Sequence, residues 1–372
     1  MKERIYLASP HMSEEGFELD YVKEAFETNW IAPAGPHLKA FEDEMCAYTG
    51  AKHALALNSG AASLHFALKL SGVKEGDIVF CQSLTYVATA NAILYEKATP
   101  VFIDSDYESW NMSPEYLEEA FKKYPNVKVV MVVHIYGMAA KMDEIRAICH
   151  KYNTPLIEDA AESVGTYYKG QHTGTLSDYG VLSFNGNKIM TTSTGGMLLS
   201  EDEEGLKKAL KWSLQGKEDA PYFEHHEVGY TYRLSNVLAA IGRGQLKVVN
   251  ERVKKKRYIY EYYKHALEGL PGVSFMPMND WQSSNCWLTS IQFEDDNLPL
   301  RIKNTLEANN IESRLAWKPM HMQKVFEGCD FIGSNVSETL FKHGLCLPSD
   351  TKLTDEQLDN IIGIVKATIQ NS

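Results

Sequence analysis

The feature that most constrains this 372-residue chain is a regular alternation of short apolar runs with helix-like segments. The runs at 54–57, 78–81, 101–103, 127–133 and 156–157 read as strands. Between them, the segments ending at residue 70 and covering 86–95, 114–123 and 142–152 read as helices. That order implies right-handed βαβ units and a mostly parallel sheet covered on both faces. Two more apolar runs, 181–184 and 197–199, extend the pattern, and a helix follows at 203–213. In open sheets of this kind ligands sit beyond the carboxyl ends of the strands, so the residues that close each strand are the ones to inspect.

Those residues form a coherent set. Asn58-Ser59-Gly60-Ala61-Ala62 closes the first strand; its small residues suit a phosphate at a helix N-terminus, and equally an ordinary cap. Thr85-Tyr86 follows the second, where Tyr86 is either a ring to stack on a flat heteroaromatic or part of the rim. His134 ends another strand, a position commoner for a structural histidine than for a catalyst. Asp159, in Ile157-Glu158-Asp159-Ala160-Ala161-Glu162, either caps a following helix or pairs with a pyridine nitrogen, the contact that makes pyridoxal phosphate an electron sink. Lys188 rides a polar turn in Ser183-Phe184-Asn185-Gly186-Asn187-Lys188, between two strands. A solvated surface lysine is a poor nucleophile, whereas one fixed in a cleft can form a Schiff base with a carbonyl. Each residue alone is ambiguous, but together they supply a phosphate cradle, a stacking ring, a pyridinium partner and an amine.

The rest of the chain excludes several classes. A net charge of −12 argues against a broad nucleic-acid surface. The six cysteines have no Cys-x-x-Cys pair, as expected of free thiols in a reducing cytoplasm. The N-terminus lacks a signal-peptide core and no stretch nears ~18 consecutive apolar residues, so we expect a cytoplasmic protein with no membrane span. The adjacent His225 and His226 lack the spacing and carboxylates of a metal site. A helical pattern from Val237 to Tyr260 reads as one long connecting helix, and its basic run at 252–257 as a solvated face. The expected division is a large domain at 1–245 and a small α+β domain at 246–372. Trp30, on a proline-interrupted segment, serves as packing or as a lid.

The motifs above, with Tyr232-Arg233-Leu234-Ser235-Asn236 and Trp317-Lys318-Pro319-Met320-His321, resemble the pyridoxal-phosphate-dependent nucleotide-sugar aminotransferases of the DegT/DnrJ/EryC1/StrS group. These have the fold type I, aspartate aminotransferase-like α/β architecture. Within the group the chain looks most like the enzymes that aminate C4 of UDP-4-keto-6-deoxy-N-acetylglucosamine in bacillosamine (N-glycan) synthesis, with L-glutamate as donor. The resemblance implies Lys188 as the Schiff-base lysine, Asp159 as the pyridine-nitrogen partner, Tyr86 as the stacking ring and Glu162 near the phenolic oxygen. It places Gly60, Ala61 and Ser183 at the phosphate and implies that Asn236 reaches the phosphate of a neighbouring subunit, hence a homodimer with shared sites. Trp30, Lys318 and His321 are candidates for the sugar side. The sibling activities are amination of GDP-4-keto-6-deoxymannose (perosamine synthesis) and C3 amination of a dTDP-sugar; a non-catalytic regulator on the same fold is a third alternative. Ser193-Thr194-Gly195-Gly196 departs from the Gly-Glu-Gly-Gly of many members.

Overall fold

The structure is a computed structural model that describes residues 4–370. In chain order its first strands are β1 (His53–Leu57), β2 (Ile78–Gln82), β3 (Thr99–Ile103), β4 (Val129–Val133), β5 (Leu156–Asp159), the short β6 (Tyr167–Tyr168) and β7 (Gln171–His172), β8 (Tyr179–Ser183) and β9 (Gly196–Ser200). After three helices come β10 (Val273–Phe275), β11 (Gln282–Ser283), β12 (Thr289–Phe293), β13 (Arg314–Leu315), β14 (Phe331–Ile332) and β15 (Gly344–Leu347).

The large sheet has the order β1-β9-β8-β5-β4-β2-β3-β14. From β8 to β14 every neighbouring pair is parallel, and β9 alone runs antiparallel to both its neighbours. Every residue of β4, β5, β8 and β9 is buried. That explains why these strands read as unbroken apolar runs rather than alternating ones. The alternation thus yields the mostly parallel α/β sheet expected from it.

A second, antiparallel sheet, β10-β12-β15-β13, builds its own core with Ile259, Tyr263, Ile291, Leu306 and Ile361. The chain returns from it to the first body twice. β14 adds to the edge of the large sheet beside β3, and β11 pairs with β6. The boundary expected at 245 falls inside the helix Asn236–Lys247. The long helix expected from Val237 to Tyr260 is two, Asn236–Lys247 and Val249–Leu267, separated at Val248 (φ −112°, ψ 6°).

The basic run on the second of these helices is a solvated face only in part: Lys254 is exposed, whereas Arg252, Lys256 and Arg257 reach protein carbonyls. Lys256 is 4% exposed and donates to the Trp287 carbonyl at 2.9 Å. Arg252 reaches the His11 carbonyl at 2.5 Å, and Arg257 binds the Ser284 carbonyl. The helix runs under segments whose carbonyls lack strand partners, and the long cations satisfy them. Among the described residues no helix is long and apolar enough to cross a membrane.

Candidate active site

The polar residues that close the parallel strands meet at one edge of the large sheet. After β1 the chain turns at Asn58-Ser59 into the helix Gly60–Leu70; Ser59 is extended and its Oγ accepts the Ala62 N–H at 3.1 Å. The first-turn N–H groups and the positive end of the helix suit an anion here. β9 approaches so closely that a Cβ on Gly196 would stand 2.4 Å from the Ser59 carbonyl carbon, which only glycine avoids. A Cβ on Gly60 would stand 3.1 Å from that of Ser183, so the structure brings Gly60, Ala61 and Ser183 together.

Asp159, the last residue of β5, is 5% exposed. Its Oδ2 accepts the Thr89 hydroxyl at 2.7 Å and its Oδ1 the Ala161 N–H at 3.1 Å. Burial pushes this carboxyl above its ordinary range, while the Thr89 and Ala161 bonds and the charge of Lys188 pull it down. No helix begins at Asp159; the chain turns instead. Sequence reading missed Thr89, which lies in the first turn of the helix Val87–Tyr95 and bonds the hydroxyl of Thr85, just before that helix, at 2.8 Å.

Glu162 sits on that turn. Its Oε2 accepts the N–H of Tyr136 at 2.7 Å, and its Oε1 lies 3.4 Å from Lys188 Nζ. Tyr136 is held at φ 54°, a left-handed conformation rare for a tyrosine, and its hydroxyl accepts the Trp317 N–H at 2.9 Å. Burial pushes the Glu162 carboxyl up to about 7 despite the pull of Lys188 and of the Tyr136 N–H. A carboxyl raised in the fold stabilises it below its unfolded value and loses that contribution as pH rises from about 4.5 to about 7. In the cofactor-free protein, Glu162→Gln is therefore expected to gain on wild type across that window by up to about 3 kcal/mol. Urea unfolding at pH 4.5 and pH 7.5 measures it, and equal pH slopes in the two proteins would contradict the assignment.

Lys188 follows β8 on a turn closed by its own N–H to the Asn185 carbonyl at 3.0 Å. Its side chain is 12% exposed, and Nζ lies 4.2 Å from the centre of the Trp287 ring. Tyr86, at the start of the helix Val87–Tyr95, is 58% exposed and meets Trp317 at 5.6 Å; Trp317 in turn contacts Tyr136 and Trp287. Lys188, Asp159, Glu162 and Tyr86 thus share one cleft, with Tyr136, Trp287 and Trp317 added to it by the fold. Trp287 lies in an apolar stretch just before β12 and carried no sequence signal distinguishing it from core.

The other candidates lie elsewhere or are engaged. His134 is fully buried, with Nε2 2.9 Å from Glu158 and Nδ1 accepting the Ala140 N–H, and is structural. Asn236 is fully buried in the protomer; its Nδ2 donates one N–H to the Trp30 carbonyl at 2.7 Å and its Oδ1 accepts the Leu38 N–H at 3.2 Å. Both amide atoms thereby brace the 30–38 segment, and Nδ2 keeps a second N–H. Trp30 is half-exposed on that segment. Lys318 is exposed beside Trp317. His321 bonds Ser83 Oγ at 2.7 Å, lies 3.3 Å from Glu338 and stacks on Phe331 at 3.9 Å, which fastens its loop to the end of β2. Ser193 stands at φ 73°, where a glycine would be unstrained.

A flat cofactor carrying a phosphate, a basic ring nitrogen and an aldehyde fits this arrangement. The helix start would face the phosphate, the buried Asp159 has no salt-bridge partner among the described residues although the charge of Lys188 acts on it, and Lys188 is an amine held beside Glu162. The fold and these groups define the fold type I pyridoxal-phosphate-dependent aminotransferases.

Residues 12–366 match the DegT/DnrJ/EryC1/StrS aminotransferase family, and the chain belongs to it. It is 49% identical to EpsN of Bacillus subtilis (strain 168), named as a pyridoxal phosphate-dependent aminotransferase, over 98% of this chain and 96% of that one. It is 34% identical to the GDP-perosamine synthase of Caulobacter vibrioides over 96% of each chain. The solved structure of the aminotransferase TlmJ from Streptoalloteichus hindustanus superposes with a TM-score of 0.92 at 29% identity, over 99% of this chain and 100% of that one. The protein is a pyridoxal-phosphate-dependent sugar aminotransferase.

Proposed function

We propose that the enzyme transfers the amino group of L-glutamate to C4 of UDP-2-acetamido-2,6-dideoxy-4-keto-hexose, giving a UDP-4-amino-4,6-dideoxy-N-acetylhexosamine for glycan synthesis in the cytoplasm. The observation that carries the chemistry is the Lys188 amine, held 3.4 Å from Glu162 while its charge also acts on the buried Asp159. Pyridoxal phosphate supplies a carbonyl to which amines add and a ring that accepts the electron pair left by a broken C–H bond. Lys188 would bond the cofactor at rest. Displaced by the donor, it would take the α-proton of glutamate and hand it to the cofactor; water would then release 2-oxoglutarate with the amino group left on the cofactor, and in the return half Lys188 would deliver a proton to C4 of the sugar, whose keto oxygen leaves as water. Asp159 would keep a proton on the ring nitrogen, Tyr86 would cover the ring, Glu162 would face its phenolic oxygen, and Gly60, Ala61 and Ser183 would receive the phosphate.

UDP follows from the likeness of the Lys188, Tyr232 and Trp317 motifs to the bacillosamine enzymes. The 34% identity to a GDP-perosamine synthase favours a second reading, GDP-4-keto-6-deoxymannose. Trp30 and Lys318 remain the candidates for sugar contacts in either case. A homodimer is part of the proposal, and its support is the apolar surface of the 214–228 segment, where Tyr222, Phe223 and Val228 are 64%, 82% and 75% exposed.

A single-turnover absorbance experiment tests this reading. Enzyme charged with L-glutamate and freed of small molecules is mixed separately with each keto sugar. Return of the pyridoxal absorbance with the UDP sugar alone supports the first reading, and with the GDP sugar alone the second. Return with neither rejects both.

A further inference from the structure

Buried polar groups concentrate on one segment outside the cofactor contacts, residues 284–288, between β11 and β12. Ser284 Oγ donates to the Gly137 carbonyl at 2.7 Å. Asn285 Nδ2 donates to the carbonyls of Glu162 and Val164 at 2.9 Å each, and its Oδ1 accepts the Trp287 N–H at 2.9 Å. The Trp287 carbonyl accepts from the buried Lys256 at 2.9 Å. Gly137, at φ 91°, admits the segment; a Cβ there would fall 1.9 Å from Asn285 Oδ1. Trp287 is therefore fixed at both its backbone groups, one of them by a buried ammonium. That is a costly way to satisfy a single carbonyl, and burial pushes the Lys256 amine down to about 8.

The side chain so fixed does two things at Lys188. The indole N–H donates at 2.8 Å to the carbonyl of Asn187, the residue just before the lysine, and the ring lies under Nζ at 4.2 Å. A core tryptophan needs only apolar neighbours and any acceptor. Here the acceptor is the lysine's own turn and the ring neighbour is its amine. A flexible lysine stem has to be held in direction as well as distance before it can move a proton. Glu162 sets one distance and the indole sets a second.

We propose that Trp287 is a positioning residue for Lys188: its N–H fixes the turn that carries the lysine, and its ring holds the free ε-ammonium beside Glu162 whenever the amine is not bonded to the cofactor. The proposal rests on Lys188 being the reacting amine and is independent of which sugar is aminated.

Two variants separate the contacts. Trp287→Phe keeps a ring and loses the N–H, whereas Trp287→Leu loses both. In the cofactor-free protein, reductive methylation of Lys188 by formaldehyde and cyanoborohydride, followed by peptide mass spectrometry, reads how firmly the amine is held. The rate is expected to rise about 2-fold in the Phe variant and roughly 5- to 10-fold in the Leu variant, with other lysines unchanged as internal references. In the holoenzyme, the Phe variant is expected to show a larger isotope effect with α-deuterated L-glutamate at nearly unchanged KM, a change that simple loss of folded enzyme does not produce. Wild-type labelling of Lys188 in the Leu variant overturns the proposal. Should that variant fail to fold, an unchanged isotope effect in the Phe variant overturns it instead. Borohydride reduction of wild-type holoenzyme separates this from the underlying reading: cofactor trapped on a lysine other than Lys188 ends both, whereas trapping on Lys188 with unaltered labelling ends only the role of Trp287.

Discussion

Lys188→Ala is expected to lower multiple-turnover kcat by at least ~10⁴-fold while the protein still folds. The large loss follows from the role proposed for the lysine, both covalent anchor and the base that moves protons in each half-reaction. The tolerance of the fold follows from how the side chain is held. The turn is closed by the backbone bond from Lys188 N–H to Asn185, and the indole of Trp287 grips the Asn187 carbonyl, so neither contact uses the amine. What the amine does contribute is charge beside Glu162. That charge opposes the effect of burial on the Glu162 carboxyl, so removing it raises the carboxyl further and leaves Glu162 neutral at pH 7 instead of stranding a buried anion. The check pairs a coupled assay for 2-oxoglutarate with a thermal melt. A variant that turns over repeatedly near the wild-type rate would remove Lys188 from the chemistry.

Why the chain disclosed its cleft so readily, and its supports so poorly, has a physical basis. The helices 114–123 and 203–213 carry their own start signals, Ser113 before Pro114 and Asp202 before Glu203, and they form over just those residues, with both caps accepting first-turn N–H groups. Strands buried on both faces are written as apolar runs, and the polar residues that close them follow at once, so Asp159, Tyr86 and Lys188 could be picked as candidates from local order alone. Thr89, Tyr136 and Trp287 could not. Each acts through a partner distant in sequence, and nothing local distinguishes a threonine that bonds Asp159 from one that merely sits in a helix. Long cations misled for a related reason. The run at 252–257 has the composition of a wet surface, but Lys256 and Arg257 end on carbonyls of the 283–287 segment, whose position depends on the folding of the second sheet.

For Asp159→Asn the expected result is a fall of roughly 10²- to 10³-fold in the rate of the glutamate half-reaction, with cofactor retained and stability nearly unchanged. The buried site can accept an amide because its hydrogen bonds are reversible. The carboxylate takes one bond from Thr89 and one from the Ala161 N–H, and Thr89 is also 2.8 Å from the Thr85 hydroxyl. If the amide oxygen stays on Ala161, its NH2 donates to Thr89, which then donates to Thr85. The hydroxyl chain turns around and both bonds to the side chain are kept, so only the second amide N–H and the Thr85 hydroxyl proton have to turn to other acceptors. The amide has no charge, however, so nothing balances a protonated ring nitrogen, and the electron pair released at the α-carbon loses its acceptor. The two losses are separable by experiment. Stopped-flow absorbance after adding L-glutamate reads the chemical step, and urea unfolding of the cofactor-free protein reads stability. An undiminished half-reaction would mean that Asp159 is not the partner of the ring nitrogen, whereas a slow half-reaction with a large loss of stability would mean that the hydroxyl chain does not reverse and that Asp159 acts mainly by holding Thr89 and the turn at Ala161.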